Sequence, residues 1–163
     1  MNINQLLADS LERSLGVLQM TLGDFSDADM FVRPAPGANH AMWQLGHLVN
    51  SETRLVTMVK PGAMPELPAG FAERFSAETT KVDDPKAFPT KAEVLELLAK
   101  ARAASVQWAR GIKPEELDQP TPERIQRLAP TVGALAAVLP SHVAMHVGQM
   151  QVIRRKLGKP ILF

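Results

Sequence analysis

Four histidines occur in the sequence, and they fall in two clusters, His40 with His47 and His142 with His146. Any one of them alone would read as a core or surface residue with a satisfied hydrogen bond. The second pair is different. His142 and His146 are four apart, so on a helix they stack on one face at a spacing suited to two imidazoles on one ion. A neutral imidazole buried without a partner costs on the order of 1 to 3 kcal/mol, and a shared metal would satisfy both rings at once. Gln149 extends the row, either as a weak ligand or as a hydrogen-bond partner that orients an imidazole.

A third ligand must come from a facing helix, and His47 is the candidate. His40 and His47 are seven apart, which places them on one helix face but about 10 Å apart along its axis. That is too far for both to ligate one ion at a Zn–N distance of about 2 Å. His40, near the predicted start of its helix, reads as a capping or surface residue. Because the chain contains no cysteine, disulfides, thiolate zinc sites and thiol nucleophiles are all excluded. Glu52 is five residues after His47 and points away from it on a helix. No carboxylate, lysine or hydroxyl stands at a compelling spacing from the motif, so no catalytic residue is assigned.

The elements that must position these residues are helices. Ile3, Leu7, Leu11, Ser14, Leu18, Leu22 and Phe25 recur at spacings of three and four and predict a first helix to about Gly23. The stretch from Asp24 to Ala38 is rich in Asp, Pro and Gly; Asn39 is a plausible N-cap for a second helix over about 40–59, stopped by Pro61-Gly62. Five prolines between 61 and 89 predict a long crossover, with one short helical turn near Phe71 to Phe75. Such a connection can return along the bundle so that the second and third helices run parallel, or it can form a lid. Thr90-Lys91-Ala92-Glu93 matches a capping box and starts the third helix, whose stripe is Val94, Leu97, Ala101, Ala104 and Trp108. A proline-containing connection from Pro114 to Pro130 leads to the fourth. That helix carries Val132, Ala136, Leu139, Val143, His146, Met150, Ile153 and Leu157 as a core seam and ends at Gly158 and Pro160. No strand is expected.

A length of 163 residues fits one domain, residues 1–163, with a continuous core. The formal charge of +1 gives a balanced surface, so neither nucleic acid nor a membrane surface is expected as a partner. The N-terminus carries Asp9 and Glu12 and lacks the basic and apolar regions of a signal peptide, which implies a cytoplasmic address. Pro140 interrupts the longest apolar run, Ala134 to Leu139, far short of a membrane span.

Three strings carry a resemblance: Trp43-Gln44-Leu45-Gly46-His47-Leu48, His142-Val143-Ala144-Met145-His146-Val147-Gly148-Gln149, and Ile153-Arg154-Arg155-Lys156-Leu157-Gly158-Lys159-Pro160. Together they resemble the DinB/YfiT-like superfamily over nearly the whole chain. The resemblance implies an all-α four-helix bundle in up-down-down-up order and frequent homodimers. It implies one divalent transition metal, zinc or nickel, on His47, His142 and His146. Relatives include thiol-dependent S-transferases and isomerases acting with bacillithiol, mycothiol or glutathione. The resemblance therefore implies a metal-dependent thiol S-transferase more than a hydrolase or isomerase, its partners a low-molecular-weight thiol and an electrophilic small molecule. The alternative is a non-catalytic metal- or small-molecule-binding bundle with a structural ion. Two departures stand out. Met145 and Val147 occupy positions where many relatives carry a charged or aromatic residue, which implies a less polar pocket, and Pro140 predicts a kinked ligand turn.

Overall fold

The computed structural model describes residues 2–162. Four long helices form the bundle: α1 (Ile3–Leu22), α2 (Ala41–Val59), α4 (Lys91–Gly111) and α7 (Val132–Lys156). Three short helical turns lie in the connections, α3 (Phe71–Arg74), α5 (Pro114–Leu117) and α6 (Glu123–Gln126). Among the described residues there is no strand, only an isolated bridge between Pro120 and Thr131. No described helix is long and apolar enough to cross a membrane.

Side-chain caps fix where the helices begin. Asn2, Thr90 and Thr131 each accept a hydrogen bond from a first-turn backbone N–H, and Glu93 closes the capping box on Thr90. The second helix is capped by His40, the capping reading of that residue, and not by Asn39. At the other end of α7, Gly158 takes a left-handed φ of 67° that lets the chain turn before Pro160. The helix runs through Pro140, whose missing N–H leaves the Ala136 carbonyl without its usual partner.

The core is built in two apolar layers. Leu7 and Leu11 of α1 pack with Leu55 and Val56 of α2, Val106 and Ala109 of α4, and Leu135 and Leu139 of α7. The other layer joins Leu18 and Leu22, Leu45 and Leu48, Val94 and Leu98, and Val143 and Met150. Early α1 thus meets late α2, late α4 and early α7. The order is up-down-down-up, with α2 and α4 parallel and joined by the long crossover. That crossover buries Phe71, Phe75 and Phe88 in the second layer, which anchors it along the bundle. One member of the predicted first stripe, Ile3, is instead 49% exposed, because the first turn projects beyond the layer started by Leu7.

Between the layers lies a buried polar waist. Arg102 of α4 donates to Glu52 of α2 (2.7 Å), to Ser14 Oγ (2.8 Å) and to the Leu11 carbonyl (3.0 Å). Burial pushes the Glu52 carboxyl up, and the Arg102 charge opposes that shift. Glu52 Oε1 and Arg102 Nε have no hydrogen-bond partner. The histidines lie among residues of the second layer, His47 between Leu45 and Leu48 and His146 between Val143 and Met150.

Candidate metal centre

His47 on α2 and His142 and His146 on α7 meet across the antiparallel helix pair. One ligand atom from each lies within 4.8 Å of the others, the one such group of three found among the described residues. Nε2 of His142 lies 3.3 Å from Nε2 of His47 and 3.1 Å from Nε2 of His146. Tetrahedral ligands at a Zn–N distance of about 2.05 Å would be about 3.3 Å apart. The donor spacing therefore fits one small transition-metal ion held between the rings.

The proton positions follow from the partners behind the rings. His146 Nδ1 faces two amide oxygens, Gln149 Oε1 at 3.0 Å and Gln44 Oε1 at 3.2 Å. Gln44 is buried, and its own amide nitrogen donates to the Asn39 carbonyl (2.7 Å), which fixes its oxygen toward His146. Nδ1 must then carry the proton, leaving the Nε2 lone pair directed at the cluster. His47 is oriented by stacking on Trp43, with ring centroids 4.9 Å apart and planes tilted by 11°. Trp43 Nε1 donates to the Ser76 carbonyl (3.2 Å) and Thr79 Oγ1 (3.1 Å), so the crossover holds the tryptophan that holds the histidine.

Burial keeps the cluster neutral. It is the main cause that pushes His47 down to about 4, with the positive charges of His142 and Arg54 adding to it. Burial also pushes His146 down to about 4, aided by His142 and His47 and opposed by the Gln149 hydrogen bond. His142 is lowered by burial as well. Without an ion, either three lone pairs face one another, or a His142 Nε2–H serves one of its two neighbours and leaves the other unpartnered. A cation at the centre satisfies all three lone pairs.

The sequence profile of the DinB superfamily matches residues 10–150. The chain belongs to the DinB superfamily. Two solved structures share the superfamily fold. A conserved protein from Enterococcus faecalis is 18% identical with a TM-score of 0.69, covering 98% of this chain and 99% of that one. YfiT from Bacillus subtilis, described as a probable metal-dependent hydrolase with an unusual four-helix bundle topology, is 15% identical with a TM-score of 0.66, covering 96% and 89%. No curated protein shows significant similarity to the chain.

In this DinB-superfamily chain the fourth histidine stands apart. His40 is fully buried rather than at the surface, and both of its ring nitrogens are engaged. Nδ1 accepts from the Trp43 backbone N–H (3.1 Å), and Nε2 donates to the Val82 carbonyl (3.0 Å). Gln149 lies behind His146 at Nδ1, not beside the converging Nε2 atoms. Glu52 is turned to Arg102, away from the cluster.

Sequence reasoning missed three contributors. Gln44 shares the His146 proton, Trp43 sets the His47 ring plane, and the Ser51 hydroxyl lies 3.4 Å from His47 Nε2. The last corrects the expectation that no hydroxyl stands near the motif. The signal was present as His47-x-x-x-Ser51, one helical turn on the same face.

Proposed function

We propose that the chain is a metal-dependent enzyme that holds one divalent transition metal, zinc or nickel, on His47, His142 and His146 and acts as a thiol S-transferase. The observation that carries the reading is the convergence of three Nε2 atoms with no fourth histidine or carboxylate in the group. Structural zinc sites normally close with four protein ligands, whereas three leave a position for an exchangeable molecule. The description of YfiT as a probable metal-dependent hydrolase supports metal dependence in a relative of this fold. Such an ion supplies Lewis acidity, favouring the deprotonated form of a thiol or water at its open position.

The preference for a thiol over water rests on the superfamily resemblance. Neither nucleophile needs a base from the chain, because such an ion brings the pKa of bound water or thiol toward neutrality, and Glu52 is committed to Arg102 in the waist. A thiol loses its proton to solvent beforehand at neutral pH once its anion is stabilised. The thiolate sulfur then forms a bond to the electrophilic carbon, whose leaving group departs with the bonding electron pair. The neutral, buried imidazoles are the protein's contribution, since a protonated ring could not act as donor.

Cobalt-substituted protein tests the reading. Its visible spectrum should shift on titration with a low-molecular-weight thiol, and turnover of an electrophile should require both metal and thiol. Hydrolysis of activated esters without thiol would instead assign the hydrolase reaction. A spectrum indifferent to thiol, azide and imidazole would show a closed, structural ion. The same site would form within the homodimer that the superfamily resemblance implies, and light scattering measures that state directly.

A further inference from the structure

Ser51 is 6% exposed and lies one turn after His47 on α2. A serine or threonine inside a helix commonly donates to the carbonyl four residues back. Ser10, Thr21 and Ser141 do so here, at 2.7, 2.8 and 3.1 Å. Ser51 does not. Its hydroxyl is turned to His47 Nε2 at 3.4 Å, a spacing close to those between the ring nitrogens themselves. The hydroxyl therefore stands at the rim of the donor set with one long, weak hydrogen bond.

An ion on His47 Nε2 removes that bond in either tautomer, since the nitrogen then has neither a free lone pair nor a proton. Once the lone pair is given to an ion, Ser51 becomes a buried donor with no acceptor. A neutral hydroxyl is not among the usual nitrogen, thiolate and carboxylate ligands of such ions, so it is poorly suited to filling the open position itself. It is suited to donating to whatever anion occupies that position, and charge-assisted hydrogen bonds of this kind are the stronger class.

We infer that the Ser51 hydroxyl is a specificity-determining donor that binds the anionic ligand, a thiolate or a small inorganic anion, taken at the open coordination position of the histidine site. The inference rests on the metal-holding reading above. It predicts selectivity for ligands that keep a second lone pair after coordination. Azide has one, and imidazole, which coordinates through its only free lone pair, does not.

The test uses cobalt-loaded full-length protein, with wild type, Ser51→Ala and Ser51→Thr compared. The Co(II) dissociation constant is read by chelator competition, and azide and imidazole affinities by visible titration. Ser51→Ala should bind Co(II) within about threefold of wild type and bind azide about tenfold or more weaker, the loss expected for one hydrogen bond to a charged group. Imidazole affinity should not change, and Ser51→Thr should keep azide binding within about threefold by retaining the hydroxyl. Equal azide affinity in wild type and Ser51→Ala overturns the inference while leaving the metal site standing. A tenfold or larger loss of Co(II) itself in Ser51→Ala overturns it too, because Ser51 would then be a ligand to the ion. If wild type binds no Co(II), the metal-site reading falls and this inference falls with it.

Discussion

Gly46→Ala is the substitution whose cost the structure defines most sharply. A methyl group at Gly46 would overlap the Phe75 ring at Cγ, Cδ1 and Cε1, well inside van der Waals contact. The ring would have to retreat by on the order of 1 Å or more to restore a carbon–carbon separation of about 3.5 Å. It has little room, since Phe75 is 2% exposed and packs against Phe71 and Phe88 at centroid distances of 4.8 and 5.5 Å. Overpacking of this kind costs about 1–3 kcal/mol and sometimes more, against a gain of about 1 kcal/mol for alanine over glycine within a helix. With backbone and ring both confined, the clash falls at the upper end of that range, exceeding the propensity gain by up to about 2 kcal/mol and lowering Tm by up to about 4–8 °C. Phe75 is followed at once by Ser76, which holds Trp43 and through it His47, so metal affinity should fall as well. Urea and thermal unfolding of chelator-treated protein measure the first effect and cobalt titration the second. Phe75→Ala, destabilising in itself, should cost less in the Gly46→Ala background than in wild type, with a coupling of at least about 1 kcal/mol in the double-mutant cycle. A Gly46→Ala protein at least as stable as wild type, or strictly additive with Phe75→Ala, would refute the reasoning.

Elemental analysis of tag-free protein should find about one transition-metal equivalent per chain, lost in His146→Ala and retained in His40→Ala. His40→Ala should nonetheless lower stability by about 1–2 kcal/mol, because it removes the α2 cap and leaves the Val82 carbonyl without its donor. Glu52→Ala should cost about 3–5 kcal/mol in urea unfolding by leaving Arg102 charged and unpaired, whereas Glu52→Leu with Arg102→Met should be far less damaging. Metal-free protein should be insensitive to pH above about 6.5 and lose stability progressively toward about pH 4, since His47 and His146 are held near 4 when folded. Their folded values lie below the unfolded one, so the unfolded chain binds more protons across that window and stability rises with pH. For buried His146 alone the full effect is about 3 kcal/mol, and calorimetry between pH 4 and 7 reads the slope.

The helices were legible where a local signal existed. Thr90 and Glu93 announce the start of α4, Gly158 and Pro160 the end of α7, and the alternating spacing from Val132 to Ile153 its buried seam. The length and five prolines of the crossover allowed either a return along the bundle or a lid, and the burial of Phe71, Phe75 and Phe88 against the second layer decides for the return. The start of α2 was less readable, since Asn39 is by type the better cap. His40 wins because its ring also reaches the Val82 carbonyl and packs against Phe31 and Phe88, contacts that no local rule contains.

What remained hidden is the handedness of polar residues around α2. Successive residues on a helix are rotated by about 100°. Ser51, four after His47, returns to the histidine's face, while Glu52 is carried round toward α4 and Arg102. In the sequence the two are adjacent polar residues of equal claim. Only the packing of α2 between α4 and α7 separates them into a donor for the site and an anchor for the waist. Gly46 shows the same dependence, because its partner Phe75 arrives from the crossover. Gln149 was visible by spacing, but its role turns on which side of the His146 ring it meets. Its oxygen lies at Nδ1, where it fixes the proton, and so the face where the three Nε2 atoms converge is left to Ser51 and to an incoming ligand.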